Sequence, residues 1–439
     1  MEKIFINNRA GKKIAVLIEV APKARGLAFV MHGQGSVKEQ PQIETFAAAF
    51  RDNDFTVIRF DARNSMGESE GKMEDASITS YYEDLEDVID WSRTQHWYRE
   101  PFVLAGHSLG GICIALYAER HPEKVRACAP TSTVVSGTLS YEAHMAADPK
   151  GLEEWRRTGW QVSESRSHPG VIKRIKWANM EDRLKYDLLE GAQRLTMPVL
   201  MMVGEKDTGT PLEHQKILYD RLPGRKELHL IKGAEHTFRD EKHLQEISAI
   251  FDQWIKSFTM RLVATIRDAD VGSDFPNPIV YKERRASRAI VFDEDRNVAL
   301  LHARKKHYHK LPGGGIEKGE SVMSALHREL SEEIGCSARN IRELGIVEEY
   351  RNKYSLRQIS YCFLADVDGE KGTPHLEADE IADGFETIWI GIGSAIVMLE
   401  GEASVEDYEG KFIRMRDLAL LKEAVQSIHR TSIEDEKDH

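Results

Sequence analysis

One pentapeptide of the sequence carries the residue types of a serine nucleophile. Gly106-His107-Ser108-Leu109-Gly110 fits the pattern G-x-S-x-G and follows the apolar run Phe102 to Ala105. A helical stretch begins near Gly111, and two glycines allow the sharp strand-to-helix turn that exposes a serine hydroxyl. The pattern and its context together predict that Ser108 is a nucleophile.

A serine hydroxyl needs a base to remove its proton and an acid to orient that base. With this type of turn, the acid and then the base are expected later in the chain. Asp207 follows the apolar run Val199 to Val203, and His236 follows the run Leu228 to Ile231. We therefore predict Asp207 as the acid and His236 as the base. Two neighbouring carboxylates remain alternatives, Glu205 and Glu235.

Acyl transfer through a serine also needs two backbone donors for the negatively charged oxygen that forms. One predicted donor is the N–H of Leu109, directly after the serine. The other is expected in the loop His32-Gly33-Gln34-Gly35, which follows the run Leu27 to Met31, and we assign it to the N–H of Gln34.

A second chemical motif lies in the last third of the chain. Leu311-Pro312-Gly313-Gly314-Gly315 leads to Glu320 and then to Arg328-Glu329-Leu330-Ser331-Glu332-Glu333-Ile334-Gly335-Cys336. This stretch matches G-x5-E-x7-R-E-U-x-E-E-x-G-U from Gly314 to Cys336, where U is an apolar residue. From residue frequencies, the match would arise by chance in roughly one chain in a million or fewer.

The spacing of this motif indicates a site for a divalent cation. Residues 321 to 334 read as a helix, on which Glu329, Glu332 and Glu333 share one face. Three carboxylates so close repel one another unless cations neutralise them. Oxygen ligands favour Mg²⁺ or Mn²⁺, both of which bridge to phosphate oxygens. A basic stretch beside the glycine loop is either phosphate-binding or simply solvated: Arg304, Lys305, Lys306, His307, His309 and Lys310.

The elements around the first motif predict an α/β domain over residues 1 to 258. An opening hairpin is expected from Ile4 to Ile18, followed by short apolar runs that alternate with amphipathic stretches. Such alternation indicates a mostly parallel sheet covered by helices. From about 134 to 196 no strand-like run occurs, which predicts a helical cap. If this insertion is a lid over Ser108, its residues Trp155 and Trp160 should influence ester-chain preference.

A second domain is expected over residues 259 to 431. The helix 242 to 258 has one apolar face and closes the first domain, and the strand Arg261 to Ile266 opens a new one. The tail 432–439 is acidic and polar, and we expect it to be disordered.

Composition limits the classes of function. The 439 residues include 60 Lys and Arg against 72 Asp and Glu, a net charge of -12, which argues against general affinity for nucleic acid or anionic membranes. No stretch approaches the roughly 20 apolar residues that span a bilayer, and no secretory signal is visible. The four cysteines have no metal-binding or disulfide spacing. We expect a cytoplasmic enzyme.

Residues 1 to 258 resemble the α/β-hydrolase family. The stretch from Arg59 through Lys72 is similar to a loop of small-ester hydrolases of the feruloyl-esterase and monoglyceride-lipase type, apart from Asn64-Ser65, where those relatives carry Gly. Asn tolerates a left-handed backbone, so the loop shape is expected to persist. The resemblance implies carboxylester hydrolysis without a cofactor and leaves the acyl group open.

The second motif resembles that of the Nudix hydrolases. The resemblance implies an α/β/α domain with a mixed sheet and Mg²⁺-dependent or Mn²⁺-dependent cleavage of a diphosphate bridge. It also implies that Arg328 orients the carboxylates, with Glu320 as its partner, and that Gly314 and Gly335 shape the motif. Glu380 is a candidate for a further ligand or base. Among the possible substrates, a MutT-like preference for nucleotides is favoured.

Together these features predict a bifunctional hydrolase acting on small-molecule esters and nucleotides, with no polymeric nucleic acid or membrane as partner. Two alternatives remain open. The second domain could sense nucleotides and regulate the esterase, although a sensor has no need of every metal-binding carboxylate. The first domain could instead hydrolyse thioesters. The sequence does not indicate an oligomeric state.

Overall fold

The computed structural model describes residues 1–164, 170, 172–402 and 406–435. The chain divides into two compact units, Met1–Ile255 and Lys256–His439, which are called the first and the second unit. No helix within the described ranges is long and apolar enough to cross a membrane.

The first unit contains an eight-stranded sheet in the order β1-β2-β4-β3-β5-β6-β9-β10. The strands β1 and β2 form the predicted antiparallel hairpin, and from β4 onward neighbouring strands are parallel. The central strands are buried along their whole length, which is why they read as continuous apolar runs. The strands and helices of the first unit are β1 Glu2–Asn7, β2 Lys13–Glu19, β3 Gly26–Met31, α1 Pro41–Arg51, β4 Phe55–Phe60, α2 Ile78–Ser92, β5 Phe102–His107, α3 Leu109–Arg120, β6 Val125–Thr131, α4 Gly137–Ala147, α5 Pro149–Thr158, β7 Trp160–Glu164, β8 Ile172–Lys176, α6 Ala178–Arg183, α7 Leu188–Gly191, β9 Val199–Gly204, α8 Leu212–Arg221, β10 Lys226–Ile231 and α9 Glu241–Thr259.

The helices of the first unit pack through apolar faces. Phe46 and Phe50 of α1 contact Phe251 of α9 with ring centroids 4.8 and 5.8 Å apart. Helix α2 begins at a capping box between Ser77 and Ser80, which satisfies backbone N–H groups that have no partner within the helix. The α/β fold class expected from the sequence is confirmed by this sheet and its helices.

The insertion between β6 and β9 is not wholly helical, contrary to the expectation. Its described residues form the helices α4, α5, α6 and α7 and also the antiparallel hairpin β7-β8, with Trp160 opposite Lys176 and Glu164 opposite Ile172. This hairpin escaped prediction because its residues are largely polar and partly exposed, so no apolar run marks them. A small core inside the insertion consists of Leu152, Trp155 and Met180.

The second unit is built on a mixed sheet in the order β11-β16-β17-β12-β13-β14, with β15 paired to β12 and β18 to β13. The pairs β11-β16 and β12-β17 are parallel, and the remaining pairs are antiparallel. Its elements are β11 Leu262–Arg267, β12 Lys282–Phe292, β13 Asn297–Ala303, β14 Tyr308–Lys310, β15 Gly313–Gly315, α10 Val322–Ile334, β16 Ser337–Arg351, β17 Leu356–Asp368, α11 Ala378–Asp383, β18 Phe385–Gly391, α12 Ile392–Gly401 and α13 Tyr408–Asp435.

Both faces of this second sheet are covered. Along β12, Ala289 and Val291 pack in the core beneath α10, whereas Ile290 and Phe292 pack beneath α12 and α13. The alternation follows from the two-residue period of a strand. This arrangement gives the three-layer fold with a mixed sheet that was expected.

The end of the chain differs from the expected disordered tail. The backbone of α13 remains helical through Asp435, because each added residue of a helix gains a hydrogen bond to the preceding turn without requiring burial. Residues 436–439 lie outside the described part of the chain.

Candidate active sites

Ser108 occupies the turn between β5 and α3, with φ 56° and ψ -116°. Close packing makes the flanking glycines necessary: a Cβ on Gly106 would lie 2.7 Å from the carbonyl oxygen of Gly110. A Cβ on Gly110 would lie 2.4 Å from the carbonyl oxygen of His32. The glycines therefore let the turn pass close to the loop after β3 and hold the Ser108 side chain outside the helix.

Three side chains from three strand ends meet at this turn. The Nε2 atom of His236 lies 2.9 Å from Ser108 Oγ, and its Nδ1 atom lies 2.7 Å from Asp207 Oδ2. In such a row the imidazole can take the hydroxyl proton while the carboxylate holds the ring and stabilises its charge. Of the alternative acids, Glu205 is exposed and accepts a hydrogen bond from the N–H of Gly233, and Glu235 is also exposed.

The environment of Asp207 keeps it ionised. Burial alone raises the pKa of Asp207, but the charge and hydrogen bond of His236 and the hydrogen bonds from Thr210 outweigh it, so the pKa falls below its usual range. Thr210 donates both its N–H and its hydroxyl to this carboxylate, at 3.0 and 2.8 Å. The sequence analysis missed Thr210, although its position three residues after a strand-end Asp was visible.

Two buried histidines support the site without contacting Ser108 Oγ. Burial and the neighbouring His236 lower the pKa of His107 to about 3, and its neutral ring donates from Nε2 to the carbonyl of His236 at 2.7 Å. His32 accepts from the N–H of Ala62 at Nε2, so its proton lies on Nδ1 and is donated to the carbonyl of Gly33. These bonds fix the loops that carry His236 and Gln34.

Gln34 and Leu109, the predicted backbone donors, both line a cavity of about 200 Å³ together with Ser108 and His236. Leu109 is the first residue of α3, and the first N–H groups of a helix have no partner within it. Asn64, in the loop after β4, has φ 62°, which is the left-handed conformation that asparagine tolerates.

The second site is formed by β15 and α10. Ser321 caps α10 by accepting from the N–H of Ser324 at 3.1 Å, and Gly335 ends the helix with φ 63°. A Cβ on Gly314 would lie 2.5 Å from the Glu329 carboxylate, so only glycine leaves that carboxylate its place against the loop. The local sequence thus sets both the helix and its distance from the glycine strand.

Arg328 holds three glutamates of the motif together. It binds Glu320 through two parallel hydrogen bonds of 3.0 Å each, and it also reaches Glu329 at 2.8 Å and Glu332 at 3.1 Å. Donation of hydrogen bonds to the Glu320 carboxylate is the main cause that raises the pKa of Arg328 above its usual range. Arg328 thus contacts Glu320 and two of the carboxylates that the resemblance expects it to orient.

Glu333 is 1% exposed and lies in a different set of contacts. It accepts hydrogen bonds from Lys310 Nζ at 2.7 Å and from the N–H of Gly313. Burial opposes ionisation, but Lys310 outweighs it and lowers the pKa of Glu333. Nearby Glu380 shares a hydrogen bond with Glu333, and burial together with the charge of Glu333 raises the pKa of Glu380 to about 7.

The carboxylates and several cations line one cavity of about 230 Å³. Of the seven carboxylates in its lining, four were candidates from the sequence: Glu329, Glu332, Glu333 and Glu380. Within the described ranges they do not converge as a ready cluster of three metal ligands, because Arg328 and Lys310 hold them. The donor set nevertheless fits a divalent cation, because all four provide oxygen. Burial and then the charge of Glu333 raise the pKa values of Glu329 and Glu380, and a cation would relieve the repulsion from Glu333.

Two arginines of β12 face this cavity, and the sequence analysis missed both. Arg288 is 5% exposed and donates to the carbonyl of Gly313 at 2.6 Å, whereas Arg284 donates to the Gln358 side chain at 2.9 Å. Neither forms an ion pair with any described residue. Of the predicted basic stretch, Lys306 and Lys310 line the cavity and both pair with acids.

Comparison with known families accounts for both units. The model of the serine aminopeptidase S33 family matches residues 22–243, about half of the chain, and the NUDIX domain model matches residues 282–408. A solved structure, ferulic-acid-bound Est1E from Butyrivibrio proteoclasticus, superposes with a TM-score of 0.50 at 18% identity. The superposition covers 57% of this chain and 97% of that protein, and it indicates a shared fold.

Two curated relatives match parts of the chain. The mitochondrial palmitoyl-protein thioesterase ABHD10 of Bos taurus is 25% identical over 199 residues, which are 45% of this chain and 62% of that protein. An RNA pyrophosphohydrolase of Ruthia magnifica subsp. Calyptogena magnifica is 48% identical over 58 residues, 13% of this chain and 32% of that protein. In both cases the chain spans less than two thirds of the relative's length. The chain belongs to the serine aminopeptidase S33 family of α/β-hydrolases, and it is a bifunctional hydrolase in which that domain is followed by a Nudix domain.

Proposed function

We propose that the first unit is a serine carboxylesterase that acts on small acyl esters. The row Ser108, His236 and Asp207 carries this proposal, because its two short hydrogen bonds connect a nucleophile, a base and an acid in the order that acyl transfer requires. Ser108 lines a cavity of about 200 Å³, and three residues of that lining, His144, Gly209 and His236, also line a neighbouring cavity of about 440 Å³.

The proposed reaction has two halves. His236 Nε2 takes the proton of Ser108 Oγ as that oxygen attacks the ester carbonyl, and the N–H groups of Leu109 and Gln34 bind the oxygen that becomes negative. The imidazolium then gives its proton to the leaving alcohol, which leaves an acyl group on Ser108. Water attacks this acyl group by the same route in reverse, with His236 again as the base, and releases the acid.

A thioesterase is the second candidate, and the name of the ABHD10 relative favours it. The same residues can attack a thioester, because the acyl carbonyl and the developing oxyanion are alike in both substrates. Rates of hydrolysis of matched esters and thioesters with acyl chains of two to sixteen carbons distinguish an esterase from a thioesterase. We expect short-chain esters to be the better substrates.

The test of the first unit uses Ser108→Ala and the exposed control Ser163→Ala. The Ser108 variant should lose ester hydrolysis by roughly three orders of magnitude or more, because it removes the nucleophile. It should also lose labelling by a fluorophosphonate probe, whereas the control keeps both. Hydrolysis at the wild-type rate in Ser108→Ala contradicts the proposal.

For the second unit we propose a Mg²⁺-dependent or Mn²⁺-dependent pyrophosphohydrolase of nucleoside di- and triphosphate derivatives, with MutT-like nucleotides favoured. The cavity that Glu329, Glu332, Glu333 and Glu380 line together with Arg284 and Arg288 supports this proposal. Glu329, Glu332 and Glu333 would hold the metal, and Glu380 is a further candidate. A bound divalent cation supplies Lewis acidity toward phosphate oxygens and water.

The residues of this chain would divide the remaining work. Arg284 and Arg288 offer guanidinium groups without carboxylate partners among the described residues, and such groups bind phosphate through paired hydrogen bonds. Arg328 positions Glu329 and Glu332, since its guanidinium contacts both. Glu380, with a pKa raised to about 7, can exchange a proton near neutral pH.

The test of the second unit compares Glu333→Gln and Glu332→Gln with the exposed control Glu400→Gln. Both cavity variants should weaken Mg²⁺ binding and suppress nucleotide hydrolysis while ester hydrolysis persists. The panel includes nucleoside triphosphates, dinucleoside polyphosphates, ADP-ribose, coenzyme A and RNA with a 5′-triphosphate, the last because of the RNA pyrophosphohydrolase relative. If EDTA leaves turnover intact, or no diphosphate is cleaved with any metal, the regulatory-sensor reading replaces this proposal.

We further propose a reducing compartment, with the cytoplasm as the first choice. The four cysteines, Cys113, Cys128, Cys336 and Cys362, are all buried and free, as is usual where thiols stay reduced. The proposed partners are small-molecule esters and nucleotides.

A further inference from the structure

The cavity at Ser108 contains a buried positive charge that the proposed esterase mechanism does not use. Arg183, the last residue of α6, is 9% exposed and lines this cavity. Its guanidinium donates to Ser140 Oγ at 2.8 Å, to Gln34 Oε1 at 3.0 Å and to Asn179 Oδ1 at 3.2 Å. All three acceptors are neutral.

No carboxylate oxygen of the described residues lies within the 4.0 Å of an ion pair with Arg183. Burial lowers the pKa of Arg183, and the charge of the neighbouring Asp182 raises it without contact between them. The Asp182 carboxylate accepts hydrogen bonds from the N–H and hydroxyl of Thr79. Residues 165–169 and 171, which are not described, include no Asp or Glu. A buried charge with no carboxylate in contact is costly, so its presence in a cavity points to an anion that completes the site.

Two hydrogen-bond donors of Arg183 and Gln34 have no partner among the described residues. A guanidinium has five N–H groups, three of which make the bonds above, and the buried Nε atom of Arg183 has no partner. The buried Nε2 atom of Gln34 likewise has none, although the Oε1 atom of the same amide is bonded to Arg183. Two buried donors without a partner therefore belong to two residues that line the cavity at Ser108 and bond to each other.

The rest of the lining is also suited to an anion. Lys173 of β8 lines the same cavity, whereas no described Asp or Glu does. Its ammonium lies near Gly35, 3.5 Å from where a Cβ of that residue would be. This local positive character contrasts with a net charge of -12 for the chain. Burial lowers the pKa of Arg183 to about 10, so the guanidinium stays charged at neutral pH.

We propose that Arg183 is a specificity-determining residue that binds a carboxylate on the ester substrate, so that the preferred substrates are anionic esters. The inference rests on the proposed esterase function and narrows its substrate class. Either the acyl part or the alcohol part can carry the carboxylate, and the experiment compares the two.

Two pairs of substrates, matched in size, test the proposal. On the acyl side, the monoaryl ester of glutaric acid is compared with the aryl ester of valeric acid. On the alcohol side, the butyrate ester of glycolic acid is compared with that of glycolamide. The wild-type enzyme should show a higher kcat/KM for the anionic member of one pair, and that pair identifies the side on which the carboxylate lies.

Variants then assign the preference to Arg183. Arg183→Gln should reduce the anionic-to-neutral ratio of kcat/KM by roughly 10- to 100-fold, the range for one charge-assisted contact. Arg183→Lys should keep part of the preference. Arg174→Gln, which removes an exposed cation from the same insertion, is the matched control and should leave the ratio unchanged.

A purely structural role predicts a different result. If Arg183 only holds Gln34 in place, Arg183→Gln lowers kcat/KM for neutral and anionic esters alike, and the proposal is wrong. A wild-type enzyme that prefers the neutral member of both pairs also overturns it. If Arg183→Gln fails to fold, the anionic-to-neutral ratios of kcat/KM for the wild-type enzyme and for Arg183→Lys still test the proposal.

Binding measurements separate this inference from the proposed esterase activity. Ser108→Ala keeps Arg183 and should bind the monoaryl glutarate at least tenfold more tightly than the aryl valerate in calorimetry. Equal affinities contradict the inference even if the wild-type enzyme is an esterase. Conversely, absence of hydrolysis and of fluorophosphonate labelling contradicts the esterase proposal, whereas tighter binding of the anion would still support the site.

Discussion

Asp207 lies buried beneath His236 and accepts four hydrogen bonds, from His236, from the N–H of Gly209, and from the N–H and hydroxyl of Thr210. Replacement by Asn keeps the shape but removes the charge that orients the His236 ring and stabilises its protonated form. We expect Asp207→Asn to lower kcat for esters by roughly 10⁴-fold, the size of effect known for a serine protease triad. The exposed residue Asp240 provides the control Asp240→Asn.

The ionisation of Asp207 also predicts how the stability of the fold depends on pH. Its pKa in the folded state is below the ordinary value of 3.8, so ionised Asp207 stabilises the fold above about pH 4. That contribution is lost as the pH falls from 3.8 toward the lower folded-state pKa. The melting temperature of Asp207→Asn should therefore be lower than that of wild type at pH 7, and the two should converge in acid. A difference that grows toward acidic pH contradicts this assignment.

At the scale of elements, the insertion between β6 and β9 has a core that is separate from its lining. Trp155 belongs to that core: it is 2% exposed, and its Nε1 donates to the carbonyl of Ile175 at 3.1 Å. Neither Trp155 nor Trp160 is part of the described lining of the Ser108 cavity. Ile175 of β8 is part of that lining. The residue to change for acyl preference is thus Ile175.

We expect Ile175→Ala to shift the ester chain-length profile toward longer acyl groups with a small loss of stability. Trp155→Ala should instead leave the chain-length profile unchanged and lower the free energy of unfolding by about 3 to 5 kcal/mol. Chain-length profiles and melting curves of both variants check this pair. A changed profile in Trp155→Ala would show that the insertion core shapes the cavity directly.

The contact between β15 and α10 allows a similar test in the second unit. Gly314→Ala places a methyl group where the Glu329 carboxylate now lies, and Glu329 is held there by Arg328. Nucleotide hydrolysis should fall by more than tenfold because the carboxylate must move away from the cavity. Gly391→Ala is the control, since a Cβ there meets no atom within 4 Å. Equal activities of the two variants would show that the position of Glu329 is not needed.

At the scale of the whole molecule, two units with separate cores predict two independent activities. Helix α9 ends at Thr259, and Met260 packs in the core of the second unit. Expression of residues 1–259 and 260–439 should therefore give two folded proteins, since domains of this size bury a core of their own. Ester and nucleotide hydrolysis should each follow one piece at the rate of the intact chain. An insoluble or inactive first piece would show that the second unit completes the hydrolase.

The sequence alone determined the features that depend on neighbours in the chain. The turn at Ser108 and the glutamate face of α10 could be predicted because a strand-turn-helix segment and a helical spacing are local geometry. The buried strands were visible because a strand covered on both faces is apolar throughout. The hairpin β7-β8 was not visible, because its polar strands are defined by their pairing with each other.

The tertiary structure decided which distant residues meet. It brought Asp207 to His236, whereas Glu205 and Glu235 do not hold the imidazole. All three residues carry a carboxylate, so only their direction and burial in the fold distinguish them. It also placed Arg183 from the insertion in the Ser108 cavity, and Arg284 and Arg288 opposite the glutamates. No local pattern marks these arginines, since an arginine in a sequence is most often exposed to bulk solvent and only folding shows which ones line a cavity without a carboxylate in contact.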